Sequence, residues 1–315
     1  MTQVYVRPDV RRFLDYLNAL PGPRSHEVGP NEARLMMLAS RQVADEPVGE
    51  LAHVRDLACP GPGGEIKLRL FDAREEREPG PLLVFFHGGG FVLGDLDTHA
   101  PFCAEIARLL DMPVLAVDYR LAPENPWPAG AEDCIAAARW AASSPDELGR
   151  EVTGLVVAGD SAGGNFAIVA SLALRDEPAA VPVLAQWPIY PAADPTKGYP
   201  SFEDFAEGYL LTRDGMQWFD QCYAADGKDW RYSPLVKSQE GMPPTLVITA
   251  GLDPIRDQGR AYAAECIRAG VPTTFLEAKG NIHGFINLRK AIPSSVEDIR
   301  GCVAVLKQML EESAR

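Results

Sequence analysis

Short apolar runs and helix-like stretches take turns along almost the whole chain, and this rhythm restricts the fold more than any other feature. EIKLRLFDA reads as a half-buried strand. PLLVFFHGG, PVLAVDYR, GLVVAGD, VPVLAQWPIY, TLVITAG and TTFLEAKG read as short buried ones, rich in Val, Ile, Leu and Phe. Between most of them lie THAPFCAEIARLLD, AEDCIAAARWAASS, GGNFAIVASLALRD and QGRAYAAECIRAG, with apolar residues at helical spacing. Strand then helix, repeated, predicts an α/β fold: a mostly parallel sheet with helices on both faces. At 315 residues, 46% of them hydrophobic, the chain can bury a large core, as one α/β domain or a domain with a lid.

Two segments break the rhythm. Residues 1 to about 45 are amphipathic with no strand before them, and PAADPTKGYPSFEDFAEGYLLTRDGMQWFDQCYAADGKDW is a long aromatic and acidic insertion between two strands. Insertions of that length are usually lids or binding loops.

Several function classes drop out on charge and pattern. A net charge of −14 argues against nucleic acid or an anionic membrane as partner, since either needs a basic face. The N-terminus, MTQVYVRPDVRRFLDYL, has arginines but no apolar core or small-residue cleavage site, and no run is long enough to span a bilayer. The expected location is the cytoplasm. Six cysteines, at 59, 103, 134, 222, 266 and 302, stand singly without a CxxC pair, and Cys134, Cys266 and Cys302 fall in helix-like patterns. They are expected to be reduced core residues, not disulfides or zinc ligands.

Within VVAGDSAGGNFAI, Gly159, Asp160, Ser161, Ala162 and Gly163 spell G-x-S-x-G after a strand and before a helix, the context that gives the motif meaning. Turning from strand to helix within one or two residues holds the serine in strained backbone geometry, and flanking glycines lack the Cβ atoms that would collide there. Ser161 Oγ would then stand clear of the sheet at a helix N-terminus, where N–H groups favour an approaching negative charge. The same pattern also fits a Gly-rich turn in which the serine is merely an N-cap. Upstream, His87, Gly88, Gly89 and Gly90 close another strand, and three glycines let a loop aim its N–H groups one way, as an oxyanion site requires. A dinucleotide loop does not fit, because Leu93 stands where G-x-G-x-x-G needs its third glycine.

A serine nucleophile needs a base, and there are five histidines. His26 and His53 lie in N-terminal segments, His87 belongs to the glycine loop and His99 opens a helix before the elbow. His283, in GNIHGF just after a strand, remains. For the orienting carboxylate, TLVITAGLDPIRD offers Asp253 three residues beyond Ala250, while Asp257 reads better as an acid opening the next helix. Ser161, Asp253 and His283 thus follow one another in triad order, each at a strand's end.

FFHGGGFVLGDLDTH, VDYRLAPENPWPA, AGDSAGGNFA, GLDPIRDQG and IHGF together resemble the hormone-sensitive-lipase family of carboxylesterases, an α/β-hydrolase branch that includes many bacterial short-chain esterases. The related pattern covers nearly the whole chain. The resemblance implies an α/β-hydrolase fold with a helical cap. Residues 1–45 and 191–235 would form the cap, and 46–190 and 236–315 the catalytic body. It implies the triad Ser161, Asp253 and His283, and an oxyanion hole from Gly88, Gly89 and Ala162. His87 would hold the glycine loop, and Arg120 and Glu124 of DYRLAPE would anchor neighbouring loops. Gln258 departs from the pattern, standing where an acid is common.

The expected activity is serine-dependent hydrolysis of short-chain carboxylic esters, with a small-molecule ester as partner and neither metal nor organic cofactor required. An amidase or lactonase would share the triad, and a non-catalytic small-molecule receptor could use the same fold. A homodimer stays open. Trp187, Tyr209 and Trp218 are candidates for the substrate pocket, among cap aromatics that serve equally well as lid core.

Overall fold

The computed structural model describes residues 4–313. Helices α1 (Pro8–Ala19) and α2 (Pro30–Ala44) precede strands β1 (His53–Gly61), β2 (Gly64–Asp72) and β3 (Gly80–Phe86). Alternation follows with α3 (Leu96–Leu110), β4 (Val114–Asp118), α4 (Ala129–Ala142), β5 (Val152–Asp160), α5 (Ala162–Asp176) and β6 (Val183–Ile189). The insertion carries α6 (Pro200–Asp204) and α7 (Arg213–Tyr223), and the chain then runs through β7 (Thr245–Leu252), α8 (Arg256–Arg268), β8 (Thr273–Ile282) and α9 (Ser295–Ser313). Among the described residues the strands form one sheet in the order β1-β2-β4-β3-β5-β6-β7-β8. The pairings of β2 with β1 and with β4 are antiparallel, and from β4 to β8 every pairing is parallel.

The central strands read as unbroken apolar runs because both faces are covered. Leu82, Val84 and Phe86 of β3 face α4 and α5, whereas Leu83 and Phe85 face α3 and α9. Burying each such side chain contributes about 1.5–3 kcal/mol. β1 was not legible in the sequence for the converse reason: it is an edge strand in which one residue, Cys59, is buried, so it lacks an apolar pattern. Among the described residues all six cysteines are unpaired, and five of them are buried.

Parallel strands end on the same edge. β3 stops at Phe86, β5 at Asp160, β7 at Leu252 and β8 at Ile282, so the next residues, His87, Ser161, Asp253 and His283, share one rim.

Residues 4–45 and the insertion reach that rim too. Val10 and Leu14 of α1 pack with Phe205, Leu252 and Ile282. Three ion pairs fasten the segment: Arg7 to Asp298 (2.6 and 2.8 Å), Arg34 to Glu124 (2.9 and 2.6 Å) and the buried Asp45 to Arg289 (2.7 and 3.0 Å). Arg34 also donates to the carbonyls of Val92 and Ala122, and Arg120 grips Asp133 at 2.8 and 2.9 Å. DYRLAPE therefore ties α2 and α4 to the loops beside the glycine triplet.

Candidate active site

Ser161 sits at φ 56°, ψ −116°, in a left-handed region that non-glycine residues seldom occupy. The elbow tolerates this because its neighbours are bare. A Cβ on Gly159 would collide with Gly163 O, and one on Gly163 with Phe86 O. The serine N–H donates to Ile189 O at 2.9 Å, which locks the turn against the end of β6.

His283 Nε2 lies 2.9 Å from Ser161 Oγ, and its Nδ1 lies 2.7 Å from Asp253 Oδ2. Asp253 is wholly buried, and its other oxygen accepts the Ile255 N–H at 2.9 Å, so the carboxylate is oriented from two sides. A buried carboxylate against Nδ1 keeps the proton there and leaves the Nε2 lone pair facing the hydroxyl. Asp257 is elsewhere engaged. It lies in the first turn of α8, accepts the Ser201 N–H at 3.1 Å and pairs with Arg256 and Arg260.

The oxyanion assignment needs one correction. Gly88 N–H donates to Asp160 Oδ1 at 2.7 Å, so it is already spent and cannot serve a substrate oxygen. Among the described hydrogen bonds, the N–H groups of Gly89, Gly90 and Ala162 have no acceptor, and Ala162 opens α5, where the helix dipole adds to the attraction for an anion. A run of three glycines indicates such a loop, but not which of its N–H groups a distant side chain has taken.

His87 is buried beside Tyr119, with ring centroids 4.3 Å apart, and its carbonyl accepts the tyrosine hydroxyl at 2.7 Å. Burial, reinforced by the nearby His99, pushes its pKa down to about 4, so it is a neutral brace for the loop.

Residues 83–287 match the model of a family described as having the alpha/beta hydrolase fold. The chain belongs to that family. Among curated relatives, it is 43% identical over 265 residues to the carboxylic ester hydrolase LipN of Mycobacterium tuberculosis, covering 79% of this chain and 69% of that one. It is 33% identical to the ethyl acetate hydrolase of Pseudomonas putida, across 97% and 99% of the two chains. Among solved structures, an ester hydrolase from the metagenome of Lake Arreo, complexed with a bipyridine phosphonate derivative, superposes with a TM-score of 0.91 at 36% identity, covering 96% of this chain and 98% of that one. A thermostable esterase from Pseudomonas putida gives 0.92 at 30% identity, over 98% and 99%. Resemblance to the hormone-sensitive-lipase branch thus runs through the hydrolase body and its N-terminal helices alike.

Of the pocket aromatics expected in this α/β hydrolase, Trp187 is misplaced. It is 1% exposed and packs near Phe102 in the core between the sheet and α3 and α9. Strand alternation turned it into that core. Tyr209 packs edge-on against Phe205, 5.3 Å away, in the small cluster around α1, and the adjacent Leu210 reaches the histidine loop at Gly284, as Arg41 does. Trp218 is half-buried against Phe219, whose ring lies directly over Gly90. Phe219 was among the cap aromatics the sequence offered, whereas Leu210 and Tyr190, whose ring lies 4.6 Å from that of His283, were not singled out from it. A structural signal marks the last two: Tyr190 and Leu210, like Ser161 and Phe91, are non-glycine residues at positive φ.

Proposed function

We propose that this hydrolase cleaves carboxylic esters by acyl transfer on Ser161. The observation that carries the reading is the unbroken relay from Asp253 through His283 to Ser161, at 2.7 and 2.9 Å. His283 accepts the hydroxyl proton as Oγ attacks the carbonyl, and the oxygen takes up its negative charge facing the N–H groups of Gly89, Gly90 and Ala162. The alcohol leaves with the proton from His283, and water repeats the sequence on the acyl-enzyme. Ester-hydrolase names among its relatives support carboxylic esters ahead of amides or lactones. A complete relay supports an enzyme ahead of a binding-only receptor.

Residues 1–45 and 191–235 act as a cap in this reading, and the cap makes the acyl site short. Phe219 overlies the oxyanion loop and Trp218 backs it, so a chain entering beside Ser161 meets rings after a few carbons. Each methylene buried in open apolar space would add about 0.8 kcal/mol. On p-nitrophenyl esters kcat/KM should therefore rise over the first few acyl carbons and then fall steeply. A maximum at long, insoluble chains would refute the short site, and no hydrolysis at any length would refute the enzyme.

A further inference from the structure

We propose that Asp160, the residue between Gly159 and Ser161, is a positioning residue that sets the oxyanion donors of the glycine loop in register with that of Ala162. The inference rests on the acyl-transfer reading above. Its basis is where the sheet ends. β3 and β5 carry the two halves of the oxyanion site, and their last paired residues are Phe86 and Gly159. Beyond that rung no ladder bond holds His87–Gly90 against Ser161–Ala162. Two loops separated by 72 positions in sequence must nevertheless present N–H groups to one oxygen, and misplacement by about an ångström is costly in rate.

The next cross-link is the Asp160 side chain. Oδ1 accepts the Gly88 N–H at 2.7 Å, a short bond to a charged acceptor and so stronger than a neutral one. The approach needs a glycine, because a Cβ on residue 88 would stand 2.5 Å from Oδ2. Its carboxylate is held in turn. Tyr190 donates to Oδ2 at 3.2 Å, and His99 Nε2 lies 3.2 Å from Oδ1, with the His99 ring itself set by Thr98 Oγ1, 3.0 Å from Nδ1. Asp160 is 3% exposed, and an isolated charge so placed would be expensive. Burial alone pushes its carboxyl up, but His99, Arg41 and the Gly88 N–H together hold it below the ordinary range, so it stays an acceptor. The Tyr190 ring also lies 4.6 Å from that of His283, tilted 55° to it, so one carboxylate joins the oxyanion loop, the elbow and the ring beside the base.

The test compares Asp160→Ala and Asp160→Asn with the parent on p-nitrophenyl acetate, together with inhibition by a trifluoromethyl ketone, whose adduct with Ser161 carries an oxyanion. Asp160→Ala frees the loop. Its kcat should fall by about 10²–10³-fold, the loss seen when one oxyanion donor is removed. KM should change by no more than about threefold, while ketone affinity falls in step with kcat. Asn keeps an acceptor oxygen for Gly88, so Asp160→Asn should recover most of the lost rate. A folded Asp160→Ala with near-parental kcat overturns the inference, as does a kcat loss without a matching loss of ketone affinity. If the alanine variant does not fold, the same two measurements on Asp160→Asn decide: kcat well below parental with unchanged ketone affinity overturns it, and proportionate changes support it. A parent protein inactive on the ester would instead bring down the acyl-transfer reading itself.

Discussion

Ser161→Ala should leave a folded protein whose kcat on an activated ester is lower by about 10⁶-fold, the scale of loss when a serine hydrolase loses its nucleophile. The size follows from the geometry. Removing Oγ deletes the nucleophile 2.9 Å from His283 Nε2, and among the described residues the other serine at positive φ, Ser144, follows a helix instead of a strand and has its hydroxyl bonded to Val152. What survives should be slow, water-driven turnover assisted by the remaining N–H donors. Folding should not suffer, because the glycines and the Ser161 N–H bond to Ile189 set the turn, and the hydroxyl does not. A phosphonate should attach once per parent chain, at Ser161, and not to the variant. Parental activity in the variant, or full activity after labelling, would contradict the assignment.

Asp253→Asn is expected to be nearly as severe, at about 10⁴-fold in kcat, since an amide at that place favours the wrong imidazole tautomer while leaving the shape intact. The neighbouring Asp257→Asn supplies the contrast. Asp257 helps to hold Ser201 and pairs with Arg256 and Arg260, so its loss should cost about 1 kcal/mol of stability and little rate. Steady-state kinetics and thermal unfolding on the two variants separate these outcomes. A greater rate loss in the Asp257 variant, in a protein that still folds, would reverse the roles of the two carboxylates.

Much of this was legible in the residues, for identifiable reasons. Parallel strands covered on both faces must be apolar throughout, so β3 to β7 announced themselves; β8, an edge strand with Glu277 and Lys279 in it, showed through its Phe275 and Leu276, and the residue just past a strand's end must lie on the rim. That placed Ser161, Asp253 and His283 together without any knowledge of distance. β1 stayed hidden because an exposed edge strand carries no such pattern. The oxyanion set was displaced by one residue because the Gly88 N–H is claimed by Asp160, a partner 72 positions away that no local motif encodes. Trp187 misled because a strand's end approaches the rim while its side chains alternate, and its register turns the indole into the core. Tyr190 and Leu210 could not be marked either, since a non-glycine residue at positive φ leaves no trace in its own identity.

Arg7, Arg34 and Asp45 lace one wall of the rim to the body, and this decides which wall can yield during turnover. Asp45 and Arg289 are almost wholly enclosed, so lifting that wall would bring a buried charge pair into water, and the segment is firmly seated. Against α1, the segment from Glu203 to Arg213 is held more lightly: Glu203 and Arg213 form a largely exposed pair that contributes about 0–1 kcal/mol, and Gly208 and Leu210 between them stand in left-handed backbone. The two segments are therefore unequally held. Alcohol departing ahead of water should pass beneath residues 203–213, and changes there should alter the pace of product release while the bond-breaking step keeps its own rate.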